Sequence, residues 1–304
     1  MEKQNTALIG LDLSKMDQVI LDNIQKVIQL LDLNKIYFMH IAENLALPED
    51  IASTYPNLLA PVDESIEQEI QNKIKELEIP ENVEIEVTAE EGNPTEKLLR
   101  WSKIKNVDFI IMGRKTELEG SGALAKRIAQ KAPTSVLFIT EDITANKFQK
   151  FIVPIDFSRH TEMVLEKVEK FIEGKENAKI RYVHIYQVPI GYHKTGKSYE
   201  EFANIMLENA KKEFDKLVHK HKIEKHPCDF ILKGNKNNAD HILEAAINHS
   251  SDMLVIGSRG RSNSAAILLG SVAEKLVQIN HKIPMLVVKM KGENMSFLEA
   301  LLNV

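Results

Sequence analysis

The chain repeats itself, and this limits its folding more than any other feature of the sequence. "LIGLDLS" at 8–14 resembles "IVPIDFS" at 152–158, "YFMHIAE" at 37–43 resembles "YVHIYQ" at 182–187, and "VDFIIMG" at 107–113 resembles "SDMLVIG" at 251–257. Asp12 and Asp156, His40 and His184, and Gly113 and Gly257 are each 144 residues apart. Three anchors in one register predict two copies of one unit, each of about 145 residues, an ordinary domain size. The expected domains are 1–145 and 146–304. Their junction, "TEDITANKFQK" at 140–150, is too short for a free linker. Duplication at that spacing leads us to expect that the copies pack as a pseudo-dimer. A homodimer of the whole chain is a further expectation.

Within the second copy, strand-like and helical stretches alternate. "FIVPID", "KIRYVHIY", "CDFILKG", "DMLVIG" and "PMLVVKM" read as strands. "RHTEMVLEKVEKFIEG", "YEEFANIMLENAKKEFDKLVHKH", "ADHILEAAINH" and "SVAEKLVQIN" carry apolar residues at helical spacing. Strand–helix alternation predicts a parallel sheet with helices on both faces. The near-continuous apolar runs suit the buried centre of such a sheet. The expected fold class is α/β: two tandem doubly wound domains, each a five-stranded parallel sheet.

The residue balance argues against several functions. A formal net charge of −5 gives no basic field for nucleic acid, and the lysines alternate with glutamates as on solvated helix faces. No apolar run approaches the ~18 residues of a membrane span. One cysteine, Cys228, allows no intramolecular disulfide, and it sits in the apolar run "PCDFIL" as a buried small hydrophobe. The N-terminal stretch lacks a signal-peptide layout, so a cytoplasmic protein is expected.

In an open parallel sheet, ligands bind beyond the carboxyl ends of the strands, at the switch point in strand order. Asp156, Ile185 and the segment "IGSRGRSNSAAILLGS" at 256–271 all fall there. A loop entering a helix presents free backbone N–H groups and the positive end of the helix dipole to an anion. Gly257 and Gly260 let the backbone approach closely and allow positive φ. Gly270 permits a tight turn into the helix, Ser271 can cap it or donate to a phosphate oxygen, and Arg259 and Arg261 add charge. The alternative is a slack surface turn with an ordinary serine cap. The spacing fits neither a Walker A loop nor the dinucleotide GxGxxG.

The stretch Gly257, two residues, Gly260, nine residues, Gly270, Ser271 resembles the motif of the universal stress protein family. "IVPIDFS", "YVHIYQV", "DMLVIGSRG" and "HKIPMLVVK" resemble that family's first, second, fourth and fifth strands, and the first copy is similar more weakly. The resemblance implies an adenine nucleotide alpha hydrolase-like fold that binds ATP, with or without Mg2+. It further implies Pro154 and Asp156 at the nucleoside and the Ile185 backbone at adenine. Ile256 and Gly257 would line the nucleoside–phosphate junction, with Gly260, Gly270, Ser271 and Val272 at the phosphates.

The first copy departs at these positions. Gly10 stands at the place of Pro154, Thr116 at that of Gly260 and Ala123 at that of Ser271. Only eight residues separate Gly113 from Gly122, against twelve between Gly257 and Gly270. Glu117 and Glu119 bring negative charge where a triphosphate needs positive charge. No ATP is expected in this half, and Asp12 reads as a turn or cap residue.

Other features read as structural. His40 and His184 repeat at one strand position without a second ligand at metal spacing. His219, His221 and His226 read as incidental surface residues at a helix end, where positive charge suits the dipole. The loop 187–198, with Tyr192, His193 and Lys194, reads as a surface loop more than a lid. In the tail, Met295, Leu298, Leu301 and Leu302 are spaced to pack on the body or a partner chain. No nucleophile–base set stands out. The reading is a regulatory, non-catalytic ATP-binding stress protein, with slow ATP hydrolysis unsupported. The competing reading is a non-catalytic interaction scaffold whose glycine loop no longer binds nucleotide.

Overall fold

The computed structural model describes residues 5–43, 62–115, 121–141, 143, 148–223, 226–260, 268–295 and 299. Two compact units emerge: Met1–Ile143 with Lys289–Val304, and Thr144–Val288. The tail, expected with the second domain, thus belongs to the first unit. Lys289 Nζ donates to the carbonyls of Gln130 and Ala132, at 3.2 and 2.8 Å, and Asn294 Nδ2 donates to Gln130 at 2.9 Å. Of the apolar tail residues, Leu298, Leu301 and Leu302 lie outside the described set.

The first unit runs β1 (Asn5–Leu11), α1 (Lys15–Asp22), α2 (Ile24–Leu31), β2 (Leu33–Ala42), α3 (Val62–Lys75), β3 (Glu84–Glu91), α4 (Pro94–Ile104), β4 (Phe109–Arg114), α5 (Ser121–Lys131) and β5 (Ser135–Thr140). Its strand order is β3-β2-β1-β4-β5, with every neighbouring pair parallel. The second unit runs β6 (Lys150–Pro154), α6 (Arg159–Ile172), β7 (Lys179–Tyr186), α7 (Tyr199–His221), β8 (Cys228–Leu232), α8 (Asn238–Asn248), β9 (Met253–Gly257), α9 (Ser271–Ile279) and β10 (Met285–Val288). Its order, β10-β9-β6-β7-β8, repeats the first and is again parallel throughout.

The central strands are sequestered on both faces. Leu8 and Ile9 in β1, Ile110 and Ile111 in β4, Ile152 and Val153 in β6, and Leu254 and Val255 in β9 are fully buried. Each such side chain contributes roughly 1.5–3 kcal/mol of transfer free energy. No described helix is long and apolar enough to cross a membrane.

The 144-residue register extends to backbone detail. Leu13 and Phe157 both adopt left-handed backbone, with φ of 58° and 61°, as do Asn106 and Ser250, each with φ of 48°. Ser14 and Ser158 cap α1 and α6 with their side chains, and Asn93 and Asn237 cap α4 and α8. One difference interrupts the match. The single helix α6 of the second unit is replaced by two in the first, broken at Asn23, whose side chain takes the carbonyl of Val19.

Candidate functional site

In the second unit, β6 is flanked by β9 on one side and β7 on the other, so the strand order reverses between β6 and β9. A cavity of about 670 Å³ opens beyond the carboxyl ends of these strands. From β9 across β6 and β7 to β8 spans three strand spacings, roughly 14 Å. Pro154, Asp156, Ile185, Ile256, Gly257, Gly260, Gly270, Ser271 and Val272 all line it. Arg261 lies outside the described residues.

Asp156 is held by its own helix. Its Oδ1 accepts from the Ser158 N–H at 3.0 Å and the Thr161 hydroxyl at 2.8 Å, while Thr161 Oγ1 accepts from the Asp156 N–H at 3.1 Å. This bracket fixes the carboxylate at the cavity wall. Thr161 was not singled out from the sequence, although its place in the first turn of α6, three residues after the Ser158 cap, was visible there.

The three glycines have different reasons to be glycine, and none has the positive φ that sequence reasoning allowed for. At Gly257 an added Cβ would lie 3.0 Å from His160 Cβ, so this glycine seats α6 against the end of β9. Gly113 does the same in the first unit, where the Cβ would meet Met16 Cγ at 2.2 Å. At Gly260 the added Cβ would lie 2.5 Å from Asp156 Oδ2. Here glycine keeps the carboxylate and the loop backbone together at the cavity. At Gly270 it would lie 3.4 Å from both Arg259 Cα and the Ser258 carbonyl.

The loop is pinned at both ends. Gly270 N–H donates to the Ser258 carbonyl at 2.7 Å, and the Ser258 N–H donates to Val288 at 2.9 Å, with Ser258 fully buried. Gly270 itself is the N-cap of α9, in extended backbone with no side-chain cap. Ser271 is therefore not the cap but the first helical residue, which frees its hydroxyl from capping. The first intrahelical bond runs from Glu274 N–H to the Gly270 carbonyl at 2.8 Å. The N–H groups of Ser271, Val272 and Ala273 precede it, on residues that line the cavity. That arrangement suits an anion.

At the opposite end, the walls are Ile185, Tyr186, Gln187 and Pro189 from the end of β7, Met206 and Ala210 from α7, Lys233 after β8, and Asn238 and Ile242 from α8. The α7 and α8 contributions were missed in the sequence, because helix periodicity marks a buried face without saying what it covers. In loop 187–198, Tyr192–Thr195 forms a 3-10 turn between left-handed Gly191 and Gly196, and Tyr192 packs on Tyr199 and Phe202. Tyr192, His193 and Lys194 do not line the cavity.

His184 Nδ1 bonds the carbonyl of Ile155 at 2.9 Å, and His40 Nδ1 bonds that of Leu11 at 3.2 Å. Both imidazoles tie the second strand to the residue following or ending the first, and the His184 ring stacks on Phe157 at 4.4 Å. His221 and His226 are not incidental surface residues: only 12% and 11% of their side chains is exposed, and they approach Glu162 and Glu169 at 3.4 and 3.6 Å. Cys228 is half-buried rather than the fully buried hydrophobe its apolar run suggests, and partial burial with the neighbouring Asp229 charge pushes its thiol up to about 12, so it stays protonated near neutrality.

The first unit treats the same place differently. Lys115, at the position of Arg259, puts its ammonium 2.5 Å from Asp12 Oδ2. Burial works to raise the Asp12 pKa, but bonds to Lys115 and Ser14 carry it below the ordinary carboxylate value. Asp17 replaces Thr161, accepting from the N–H groups of Asp12 and Leu13 at 3.1 and 2.7 Å. Burial, with the Asp12 charge beside it, pushes the Asp17 pKa up. Buried Arg114 replaces Ser258, its Nη2 3.9 Å from where a Cβ on Gly122 would sit. Thr116, Glu117 and Glu119 lie outside the described residues.

The model of the universal stress protein family matches residues 5–140 and again 147–289. Universal stress protein MJ0577 of Methanocaldococcus jannaschii is 30% identical over 166 residues, covering 48% of this chain and 97% of that protein. Among solved structures, a universal stress protein from Archaeoglobus fulgidus is similar with TM-score 0.59 and 17% identity, over 94% of this chain and 96% of that one. A putative universal stress protein from Pseudomonas aeruginosa is similar with TM-score 0.63 and 14% identity, over 99% and 98%. At those identities the structures speak for the fold. With the family model matched in both halves, the chain belongs to the universal stress protein family as a tandem two-domain member.

Proposed function

We propose that the second unit binds one adenine nucleotide, ATP with or without Mg2+, and that the protein acts as a regulatory stress-response protein inside the cytoplasm. The observation that carries this reading is the cradle formed by Gly260, Gly270 and the start of α9. A Cβ at residue 260 would collide with Asp156 Oδ2, whereas one at 270 would meet the Arg259 and Ser258 backbone at ordinary contact distance. Glycine is required at 260 because backbone and carboxylate crowd one cavity wall there. The N–H groups of 271–273, which precede the first intrahelical bond on residues that line the cavity, suit phosphate, and the Asp156 carboxylate suits hydroxyl or amine donors of a nucleoside.

Binding rather than catalysis fits the groups present. Asp156 already accepts two hydrogen bonds on Oδ1, and His184 is tethered through Nδ1 to Ile155. Neither is arranged to move a proton at a phosphate. In the first unit, Lys115 already neutralises Asp12, so we place no nucleotide there.

The test is calorimetric titration of the full chain with ATP, alongside the Gly260→Glu and Ser271→Glu variants. Binding by the wild type and its loss in both folded variants is the expected result. Wild-type protein that takes up no ATP at millimolar concentration favours the scaffold reading instead.

A further inference from the structure

Pro189, just past the end of β7, lines the cavity, and Ile190 follows it fully exposed, against 39–64% for the other exposed large apolar side chains among the described residues. The two belong to one tight turn. The Tyr192 N–H donates to the Pro189 carbonyl at 3.3 Å, and Gly191, at φ 93° and ψ 6°, takes the left-handed third position of a type II turn. Ile190 holds the second position, where proline is favoured and a β-branched apolar side chain does nothing for the turn. The turn is fastened on either side. The Tyr186 carbonyl accepts from the Lys233 N–H at 2.8 Å, and the Tyr192 ring packs on Tyr199 and Phe202, with centroids 5.6 and 6.4 Å away. Between these anchors, a Cβ added at Gly191 would meet nothing within 4 Å, so glycine serves there for its backbone freedom and not to admit a neighbour.

We propose that residues 187–191 form a strap that closes on the base of the bound nucleotide, with Ile190 as the side chain that covers it and Gly191 as the hinge. The inference rests on the nucleotide reading above and assigns the base to the β7 end of the cavity, beside Ile185. Gln187 and Pro189 already line the cavity. Consecutive Cα atoms lie about 3.8 Å apart, so Ile190 starts one residue from the wall. Rotation about the Gly191 backbone, with no Cβ to obstruct it, swings the isoleucine across the mouth while both anchors stay in place. The face of a purine base is largely apolar, and covering it takes the isoleucine out of water, so closure is favoured when the base is bound. A lone exposed isoleucine is ordinary on a protein surface. This one stands at a hinge beside the ligand space.

The experiment places a cysteine at the apex, Ile190→Cys, in the full chain and follows its alkylation by mass spectrometry with peptide mapping, which tells it from Cys228. Rapid labelling of the protein alone, slowed about tenfold by saturating ATP, is the expected result. Inorganic triphosphate, which has no base to cover, is expected to leave the rate unchanged. By calorimetry, Ile190→Asp is expected to bind ATP about tenfold more weakly, the worth of one buried apolar side chain, and Ile190→Leu to match the wild type. Ile247→Asp, which alters an exposed isoleucine in the last turn of α8, is expected to change nothing. Ile190 is fully exposed, so its variants leave the fold intact. A labelling rate that ATP does not slow, or that triphosphate slows as much, overturns the strap and leaves the nucleotide site standing. Wild-type affinity in Ile190→Asp, or an equal loss in Ile247→Asp, does the same. Absence of ATP binding by the wild type overturns the nucleotide reading itself, and this inference with it.

Discussion

The Lys115 ammonium lies 2.5 Å from Asp12 Oδ2, and this ion pair marks where the two copies diverge. In the second unit the corresponding carboxylate, Asp156, instead turns Oδ2 toward Gly260 and the cavity. In one copy the aspartate pairs with the Lys115 ammonium, and in the other it lines a ligand-sized cavity.

The ion pair has a pH signature. The folded pKa of Asp12 lies below its ordinary value of 3.8. Its contribution is therefore present above that value and is lost as pH falls through the lower folded pKa. The Asp12 carboxylate is 55% exposed, so solvent screening holds the effect to at most about 1 kcal/mol. Lys115→Met is expected to raise the Asp12 titration midpoint, read by carboxyl NMR. An unmoved midpoint would contradict the pairing.

Thr161 links the Asp156 backbone to its side chain, donating to Oδ1 and accepting from the N–H. Thr161→Val removes both of these hydrogen bonds and leaves Oδ1 the one from the Ser158 N–H, at a cost of about 1–3 kcal/mol. Denaturant unfolding is expected to show that loss, and calorimetry a weaker ATP affinity. Thr161→Ser, which keeps the hydroxyl, is expected to restore most of both.

The glycines separate into packing and binding positions. Gly113→Ala sets a methyl against Met16 in the first unit, with an expected destabilisation of about 1–3 kcal/mol and unchanged ATP affinity. Gly260→Ala pushes on Asp156 Oδ2 at the cavity, so ATP affinity is expected to fall at least about tenfold with only a small change in melting temperature. Swapped outcomes would refute the division.

Cys228 is expected to resist alkylation at pH 8 in the folded protein and to react fully in denaturant, because burial raises its thiol to about 12. Rapid labelling of native protein, followed by mass spectrometry, would show that the thiol is not held this way.

Much of this was legible in the sequence because the repeat supplied its own control. The 144-residue register that links Asp12 to Asp156 also links Leu13 to Phe157 and Asn106 to Ser250, positions at which φ turns positive in both units. The strand runs were readable because buried parallel strands are nearly all apolar. The roles of Gly257 and Ser271 were not. Whether a glycine admits a ligand or a helix depends on what packs over it, here His160, and the cap position depends on backbone angles at Gly270. The walls from α7 and α8, Asn238 among them, depend on tertiary placement that no local pattern encodes. The tail's membership of the first unit rests on bonds from Lys289 and Asn294 that composition cannot reveal.

The most direct test of the account is the stoichiometry of ATP on the full chain, measured by calorimetry and by native mass spectrometry. One nucleotide per chain is predicted, falling to none in folded Gly260→Glu protein. Two per chain, or one that survives Gly260→Glu, would contradict a single site in the second unit.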